Sequence, residues 1–287
     1  MQLSFTKMQG LGNDYIYIDA REHIPADLPN LARRLSDRHF GIGADGIVLI
    51  TNSPTCDFGM RIFNADGSEA QMCGNASRCI AKYVFERGLT TKTTLTLQTL
   101  AGVKTLLLQV KEGRVEQVSV DMGIPKFIGI TTVKIDNYRF NLGKIDMGNP
   151  HAVGFVSDPQ ELSLAATYGA QIENHPAFAP DRTNVEFVYV HDKCELDMRV
   201  WERGSGETLA CGTGACAAVV AAIHTQRITD QAVVHLLGGD LHIALQSDGH
   251  IRMTGGAEFV FDGVIDTEAI SAKHTKKTCS KTKKRKK

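Results

Sequence analysis

An internal repeat constrains this chain more than any other feature of its sequence. Two segments about 138 residues apart keep the same register at separated places: Met60 to Phe63 with Met198 to Trp201, Glu69 with Glu207, and Cys73 with Cys211. A slightly smaller shift places Gly12-Asn13 on Gly148-Asn149. Similarity kept at one interval is typical of a duplicated unit. We therefore expect two similar halves.

Each copy of the repeat presents one cysteine that is followed by a glycine. Cys73 and Cys211 each follow a short polar loop and open an apolar stretch without proline. This pattern predicts that each cysteine lies at the start of a helix. Unpaired backbone N–H groups and the helix dipole favour a thiolate there. We expect both thiols to be reactive and to meet between the halves.

The remaining apolar pattern predicts an α+β fold. We expect further helices at residues 28–36 and 161–173, and the first cysteine helix is expected to run to Glu86 and stop at Gly88. The segment from Ala215 to Ile223 has few polar positions, which is typical of a helix buried on most sides. Short alternating segments predict strands between the helices, including one at residues 144–147 and closing strands at 236–261. We expect two pseudo-symmetric halves, each a curled, mostly antiparallel, barrel-like sheet around a central helix.

The repeat also predicts the domain boundaries. The N-terminal half is assigned to residues 1–118, carries Cys73 and is expected to be completed by a returning strand at 257–270. The C-terminal half is assigned to residues 119–256 and carries Cys211. With 43% apolar and 22% charged residues, the chain can bury two cores.

The chain is neutral overall, but its charge is unevenly distributed. Nine of its 32 basic residues lie between Lys273 and Lys287, where there is no acidic residue, so the rest carries nine more acidic than basic residues. We expect residues 271–287 to form a disordered basic tail. The tail is interpreted either as a solvated extension or as a segment that binds nucleic acid or an anionic membrane nonspecifically.

The sequence shows neither an apolar stretch long enough for a membrane span nor the pattern of a secretory signal. No stretch approaches the roughly 18 apolar residues of a membrane span, and the first residues lack a basic segment followed by an apolar one. We expect a cytoplasmic protein. The cysteine spacings do not match usual zinc sites, so no metal is expected.

Two opposed thiols suit a reaction that removes a proton from one face of a carbon and returns one to the other face. One sulfur must be a thiolate and the other a thiol, and their protonation is coupled. Backbone N–H groups of Gly74-Asn75 and Gly212-Thr213, at two helix starts, could hold an amino acid carboxylate and stabilise the charge that develops on it.

Six motifs together resemble the diaminopimelate epimerase family, in chain order from Met1 to about Asp266. They are Gly10-Leu11-Gly12-Asn13-Asp14, Phe63-Asn64-Ala65-Asp66-Gly67-Ser68, Cys73-Gly74-Asn75, Gly148-Asn149-Pro150-His151, Glu202-Arg203-Gly204-Ser205-Gly206-Glu207-Thr208 and Ala210-Cys211-Gly212-Thr213-Gly214-Ala215-Cys216.

This resemblance implies an isomerase that interconverts LL- and meso-2,6-diaminopimelate without a cofactor such as pyridoxal phosphate, in lysine and peptidoglycan precursor biosynthesis. It implies that Cys73 and Cys211 are catalytic, with His151 and Glu202 supporting them. The implied substrate-binding residues are Asn13, Asn64, Gly74, Asn75, Asn149, Asn184, Glu202, Arg203, Gly212 and Thr213. Arg203 can form a bidentate hydrogen bond with the distal carboxylate. The asparagines and Glu202 can pair with the distal ammonium and carboxylate.

The chain departs from the family pattern at two places in its first half. Gly46 stands where some members carry glutamine, and Ala76-Ser77 replaces Gly-Ala after Cys73-Gly74-Asn75. We expect Ala76 to be tolerated if its φ is negative, and substrate breadth is left open.

Two other functions and several structural interpretations stand beside this hypothesis. One rival is a proline or hydroxyproline racemase or epimerase of the same plan, and the other is an inactive body with a nucleic-acid-binding tail. Without the family match, His151 would be interpreted as a surface histidine. Arg61 and Arg199 are interpreted as structural ion-pair partners and are left out of the site. Four cysteines are expected to be inert, namely Cys56, Cys79, Cys194 and Cys216. The resting thiolate and a possible homodimer are left open.

Overall fold

The computed structural model of the chain describes residues 2–269. The predicted basic tail, residues 271–287, and the last residue of the predicted returning segment lie outside the described residues. Within residues 2–269 there are four α-helices, which are α1 (Leu28–Ser36), α2 (Gly74–Glu86), α3 (Leu164–Glu173) and α4 (Gly212–His224). None of these helices has the length and apolar character needed to cross a membrane.

The helices follow the sequence repeat and agree closely with expectation. The predicted helix at 28–36 is α1, and α2 ends at Glu86 before Gly88, whose φ of +70° is the left-handed conformation that glycine adopts at helix ends. The predicted helix at 161–173 begins as a 3-10 turn, Pro159–Ser163, and continues as α3. A second 3-10 turn covers Pro176–Phe178.

Eighteen strands are described within residues 2–269. The first eight are β1 (Gln2–Gly10), β2 (Asn13–Asp19), β3 (Gly46–Thr51), β4 (Phe58–Asn64), β5 (Glu69–Ala70), β6 (Thr94–Thr99), β7 (Gly102–Lys111) and β8 (Arg114–Asp121). The other ten are β9 (Lys126–Ile135), β10 (Tyr138–Asp146), β11 (Pro150–Val156), β12 (Asn184–Val190), β13 (Glu195–Glu202), β14 (Gly206–Glu207), β15 (Gln231–Leu236), β16 (Gly239–Leu245), β17 (Ile251–Gly255) and β18 (Glu258–Asp266).

The strand pairing repeats from one half to the other. In the first half β1 pairs antiparallel with β2, β2 parallel with β3, β3 antiparallel with β4 and β4 parallel with β6. In the second half β10, β11, β12, β13 and β15 pair in the same order and the same directions. Each half thus has a curled, mostly antiparallel sheet with its long cysteine helix inside, which confirms the predicted fold class.

The last strands connect the halves. β18 pairs antiparallel with β1, as β9 pairs with β10 in the second half, and β17 pairs antiparallel with β8. Strand β8 runs across the predicted boundary between residues 118 and 119. The bounds of the two halves therefore stay a prediction.

One apolar core contains both cysteine helices. Residues of α2 from Ala76 to Val84 and of α4 from Ala215 to Ala222 belong to the same buried cluster. Two smaller clusters lie under the outer helices, one against α1 and one against α3. Helix α4 is nearly all small and apolar because it is enclosed on every side.

Strands β9 and β15 and most of β10 were not predicted from the sequence. The predicted strand at 144–147 is the end of β10, which pairs with β9 along its length, and β15 begins before the predicted closing region. In β9 the exposed positions include Ile128 and Ile130, and Gly129 lies between them. Alternation of polar and apolar residues therefore does not mark this strand.

Candidate active site

The two predicted thiols begin the two inner helices. Helices α2 and α4 have 13 residues each, and the residue before each helix is Cys73 or Cys211, in extended conformation. A Cβ on Gly74 would lie 2.5 Å from Met253 Cε, and one on Gly212 would lie 2.8 Å from Met253 Sδ. The glycine after each cysteine is needed because both helix starts pack against the same methionine side chain.

Hydrogen bonds join the first thiol to the second half. The Cys73 thiol donates to Asn13 Oδ1 at 3.4 Å, and Asn75 Nδ2 donates to the same oxygen at 3.3 Å. Asn75 Nδ2 also lies 3.3 Å from the carbonyl oxygen of Ala210, the residue before Cys211. Asn13 Nδ2 donates to Asp45 Oδ2 at 2.8 Å, which fixes its amide with the oxygen toward the thiol.

The second thiol has its own set of polar contacts. The Gly214 N–H donates to Cys211 Sγ at 3.4 Å, and Thr213 Oγ1 lies 3.5 Å from that sulfur. Asn149 Nδ2 lies 3.4 Å from Thr213 Oγ1. Backbone and hydroxyl donors therefore surround the sulfur, as they would an anion at a helix N-terminus.

A buried histidine and glutamate lie behind this second set. His151 is 2% exposed, which corrects its interpretation as a surface residue, because its strand β11 lies between β10 and β12 inside the sheet. Its Nδ1 is 2.6 Å from Glu186 Oε1, and its Nε2 is 3.1 Å from Asn149 Oδ1. The histidine thus connects a buried carboxylate to the substrate-binding candidate Asn149.

Burial and nearby carboxylates act on both thiols. Burial raises the pKa of Cys73, and nearby N–H groups of Ala76 and Asn75 partly oppose it. Burial followed by the charges of Glu202 and Glu186 raises the pKa of Cys211 well above its usual range. Burial also raises the pKa of Glu202, against hydrogen bonds from Thr208 and Cys211. The two thiols therefore lie in different electrostatic environments, and nearby carboxylates act more strongly on Cys211.

The remaining predicted binding residues differ in burial, since Asn184 is buried, Asn64 is half-buried and Arg203 is exposed. Asn184 Oδ1 accepts a hydrogen bond from the Arg203 backbone N–H at 2.9 Å, which fixes the loop after β13. The Arg203 guanidinium is exposed and donates to the carbonyl of Asp181 at 2.7 Å. Asn64 Nδ2 donates to Ser68 Oγ at 3.1 Å. None of the hydrogen bonds described for the Asn64 or Arg203 side chains within residues 2–269 reaches either thiol.

The positions that depart from the family pattern are accommodated differently. Ala76 lies within the first turn of α2, outside the residues with positive φ, as its tolerance requires. Ser77 Oγ donates back to the carbonyl of Cys73 at 2.9 Å. At Gly46 a Cβ would lie only 2.2 Å from the carbonyl oxygen of Phe63, so this backbone has no room for a side chain.

Three residues of the site were missed in the sequence: Asp45, Arg78 and Glu186. The repeat carries the signal that could have found two of them, because it aligns Glu186 with Val48 and Arg78 with Cys216. A charged residue in one copy that aligns with an uncharged residue in the other marks a position where the halves differ in chemistry. Both are fully buried in the structure.

The structural interpretations made from the sequence also have outcomes. Arg61 and Arg199 form matching ion pairs, each 2.7 Å from Nε to Glu69 and Glu207, which confirms their structural role. Cys79 and Cys216 are fully buried, and burial raises their pKa values to about 11 and about 12. Within residues 2–269 no group of three or more His, Cys, Asp or Glu side chains is arranged to hold a metal ion.

Comparison with known proteins identifies relatives over nearly the whole chain. Residues 5–128 and 143–260 match the family model described as diaminopimelate epimerase. A diaminopimelate epimerase of Phocaeicola vulgatus is 52% identical over 277 residues, which cover 92% of this chain and 98% of that protein. One of Acetivibrio thermocellus is 49% identical over 282 residues, covering 93% of this chain and all of that protein.

Solved structures show a similar fold at much lower identity. A hydroxyproline epimerase from Agrobacterium vitis has a TM-score of 0.71 and 15% identity, with coverage of 92% of this chain and 91% of that chain. A predicted epimerase from Pseudomonas aeruginosa has a TM-score of 0.67 and 16% identity, with coverage of 92% and 99%. At this identity the likeness concerns the fold alone.

Proposed function

Because this chain belongs to the diaminopimelate epimerase family, we propose that it interconverts LL- and meso-2,6-diaminopimelate and so serves lysine biosynthesis. The observation that carries the chemistry is the pair of helix starts, where Cys73 and Cys211 each stand before a 13-residue helix and share Met253 as a neighbour. The reaction is an isomerisation, so no atoms other than protons need to be exchanged.

The proposed reaction uses the two thiols as acid and base. One thiolate removes the proton from the α carbon, and the other thiol donates a proton to the opposite face, which inverts that centre. The negative charge that forms on the carbon and its carboxylate is stabilised by N–H groups at the two helix starts. Gly74, Asn75, Gly212 and Thr213 supply those groups, and in the reverse direction the two sulfurs exchange roles.

The other end of the substrate supplies specificity in this proposal. Asn184 holds the backbone of Arg203 at 2.9 Å, so the exposed guanidinium stands at the rim of the site, available for a distal carboxylate. Asn13, Asn64, Asn149 and Glu202 complete the assignment of polar contacts to the distal amino acid group. A site that pairs with both ends of diaminopimelate discriminates against amino acids that have only one.

Several further properties belong to the same proposal. Thiol acid–base chemistry carries out both proton transfers, so we assign no pyridoxal phosphate to the reaction. We also assign the enzyme to the cytoplasm and its product to peptidoglycan precursors. A homodimer and a nonspecific nucleic-acid contact through residues 271–287 stay predictions.

Incubation of the full chain with LL-diaminopimelate in heavy water tests the proposal directly. We expect deuterium at one α carbon together with the appearance of the meso isomer. Parallel incubations with L-proline and with trans-4-hydroxy-L-proline test the rival racemase. Inversion of either of these, without any inversion of diaminopimelate, would refute the assignment.

A further inference from the structure

Two side-chain amides beside the first thiol are hydrogen-bonded in a row between two charged groups. Arg78 Nη1 donates to Asn75 Oδ1 at 3.0 Å. Asn75 Nδ2 donates to Asn13 Oδ1 at 3.3 Å, and Asn13 Nδ2 donates to Asp45 Oδ2 at 2.8 Å. The amides of Asn75 and Asn13, which we call the amide pair, therefore connect a guanidinium to a carboxylate.

Arg78 fixes one end of the amide pair. Its side chain is fully buried and closely packed, since a Cβ on Gly10 would lie 3.1 Å from Nη2 and one on Gly255 would lie 3.3 Å from Nε. A guanidinium has hydrogen-bond donors only. Asn75 therefore presents its oxygen to Arg78 and its nitrogen to Asn13.

Asp45 fixes the other end. Its Oδ2 accepts from Asn13 Nδ2 at 2.8 Å and from the Asp14 backbone N–H at 3.1 Å. Its Oδ1 accepts from Arg38 Nη2 at 3.0 Å. Each hydrogen bond described for this carboxylate is thus one that it accepts, so the amide of Asn13 turns its nitrogen toward Asp45. The oxygen of Asn13 is left facing the Cys73 sulfur.

The Asn13 oxygen provides a hydrogen-bond acceptor for the first thiol. Cys73 Sγ lies 3.4 Å from Asn13 Oδ1. An amide oxygen accepts hydrogen bonds and donates none, so this bond exists only while the sulfur carries its proton. A hydrogen bond to the neutral form of an acid disfavours its charged form. The contact therefore stabilises the thiol form of Cys73.

The second half holds the repeat-related asparagine in a different arrangement. Asn149 presents its oxygen to His151 Nε2 at 3.1 Å and its nitrogen to Thr213 Oγ1 at 3.4 Å, beside the second thiol. The repeat aligns Asp45 with Thr183, so the second half has no carboxylate at this position of its sequence. The orientation of the asparagine amide therefore depends on residues that differ between the halves.

We propose that Asp45 is a positioning residue that holds the oxygen of Asn13 on the Cys73 sulfur and so keeps Cys73 in its thiol form when no substrate is bound. This inference rests on the proposed two-thiol function. In the direction of reaction in which Cys211 removes the α proton, a Cys73 thiol is the acid that donates a proton to the opposite face.

Other ionisable groups from three elements also act on the Cys73 sulfur. They include Tyr15 and Tyr17 of β2, Arg78 and Cys79 of α2, and Glu202 of β13. The charge of Glu202 favours the thiol, whereas the charge of Arg78 and the backbone N–H groups of the first turn of α2 favour the thiolate. Burial raises the pKa of both tyrosines and of Cys79, so these three groups are neutral near pH 7.

The rate of alkylation of Cys73 by iodoacetamide, followed against pH by peptide mass spectrometry, tests the role of Asp45. In Asp45→Ala we expect the midpoint of the profile to fall by about 0.4 to 1.1 pH units, the size of one hydrogen bond lost from the neutral form. In Asp45→Asn, which keeps an oxygen for Asn13 Nδ2 without the charge, we expect most of that fall to be absent. An unchanged midpoint in Asp45→Ala, or equal falls in both variants, would overturn the proposal.

Replacement of Asn13 shows whether Asp45 acts through the amide. In Asn13→Ala, which leaves Asp45 in place, we expect the Cys73 midpoint to fall by a similar amount, and an unchanged midpoint would refute the proposal. Addition of Asp45→Ala to Asn13→Ala is expected to change the midpoint little further. An undiminished second fall would show that Asp45 acts by its charge alone, which would also refute the proposal.

Asp14→Asn is the matched control, because Asp14 belongs to the same group of charges but its side chain pairs with Lys7 and Arg38. We expect its alkylation profile to superimpose on that of the unchanged protein, and a fall as large as that in Asp45→Ala would argue against a specific role of Asp45. None of these measurements uses substrate. Absence of diaminopimelate inversion by the unchanged protein would count against the proposed function, whereas the alkylation profiles judge Asp45 separately.

Discussion

Asn75 Nδ2 lies 3.3 Å from the carbonyl oxygen of Ala210, so a residue in the first turn of the Cys73 helix is bonded to the residue directly before Cys211. The same amide also reaches Asn13, which accepts from the Cys73 thiol. One buried side chain therefore links the backbone directly before Cys211 to the amide that accepts from the Cys73 thiol.

Replacement of Asn75 tests that connection. In Asn75→Ala we expect kcat/KM to fall by about fivefold to about 150-fold, because loss of a buried amide leaves its partners unpaired at about 1–3 kcal/mol. The exposed Asn52, which donates to the carbonyl of Arg21, provides the matched control. Equal kcat/KM for Asn75→Ala and Asn52→Ala would argue against a role of this amide in the site.

Removal of either thiol tests the two-base scheme. We expect Cys73→Ala and Cys211→Ala each to lower the inversion rate by about a hundredfold to ten-thousandfold, the range for loss of a general acid or base. Cys194→Ala, at an exposed position, is expected to retain full activity.

Deuterium exchange separates the two sulfurs further. In each alanine variant the remaining sulfur can exchange the α proton of the one isomer that faces it, without inversion. We expect Cys73→Ala and Cys211→Ala to exchange different isomers. Near-normal inversion in either variant would contradict the scheme.

Glu186 is expected to act through His151. Glu186→Gln keeps an oxygen for the 2.6 Å contact with Nδ1 but removes a buried negative charge. We expect kcat/KM to fall at least about tenfold because the histidine loses its charged partner beside the acid–base pair. Glu207→Gln, which disrupts the structural ion pair with Arg199, serves as the control, and equal effects of the two changes would count against this role.

The pH dependence follows from the direction of the thiol shifts. Burial raises the pKa of both Cys73 and Cys211, so the thiolate fraction of the free enzyme grows as the pH rises. We expect kcat/KM to increase with pH between about pH 6 and pH 8 and to be lost on the acid side. A profile of kcat/KM that falls over this interval would show that the thiolate is not the limiting form.

Gly46 is expected to tolerate no side chain. A Cβ there would lie 2.2 Å from the Phe63 carbonyl oxygen and 2.9 Å from Tyr15 Cε1, so Gly46→Ala should lower the free energy of unfolding by about 1–3 kcal/mol. Gly256 has nothing within 4 Å of the same position, and Gly256→Ala is expected to stay within about 0.5 kcal/mol. Denaturant unfolding measures both, and equal stabilities would contradict the steric argument.

The repeat made the fold and the thiol pair predictable, because it indicates two similar halves and places one cysteine at the same position in each. The start of each inner helix could be predicted from neighbouring residues, namely the glycine after each cysteine and the apolar stretch that follows it. Helix α2 begins and ends as its sequence indicates. Helix α4 was recognised as buried because its small side chains leave no polar face. These features are fixed by residues that are close in sequence.

The rest depended on contacts between distant residues. The burial of His151 comes from its position between β10 and β12, and its bond to Glu186 joins residues 35 apart. Arg78 owes its surroundings to Gly10 and Gly255, from opposite ends of the chain. The sequence of one strand or helix does not indicate which distant segments will pack around its side chains.

The pairing of β18 with β1 has a consequence for how the molecule is made. Residues 258–266 supply the outer neighbour of a strand that begins at residue 2, so one edge of the first half stays open until these residues have left the ribosome. Contacts of such sequence separation slow folding, and an unpaired strand edge invites association with other chains. The sheet of the first half therefore cannot be completed before residues 258–266 have been synthesised.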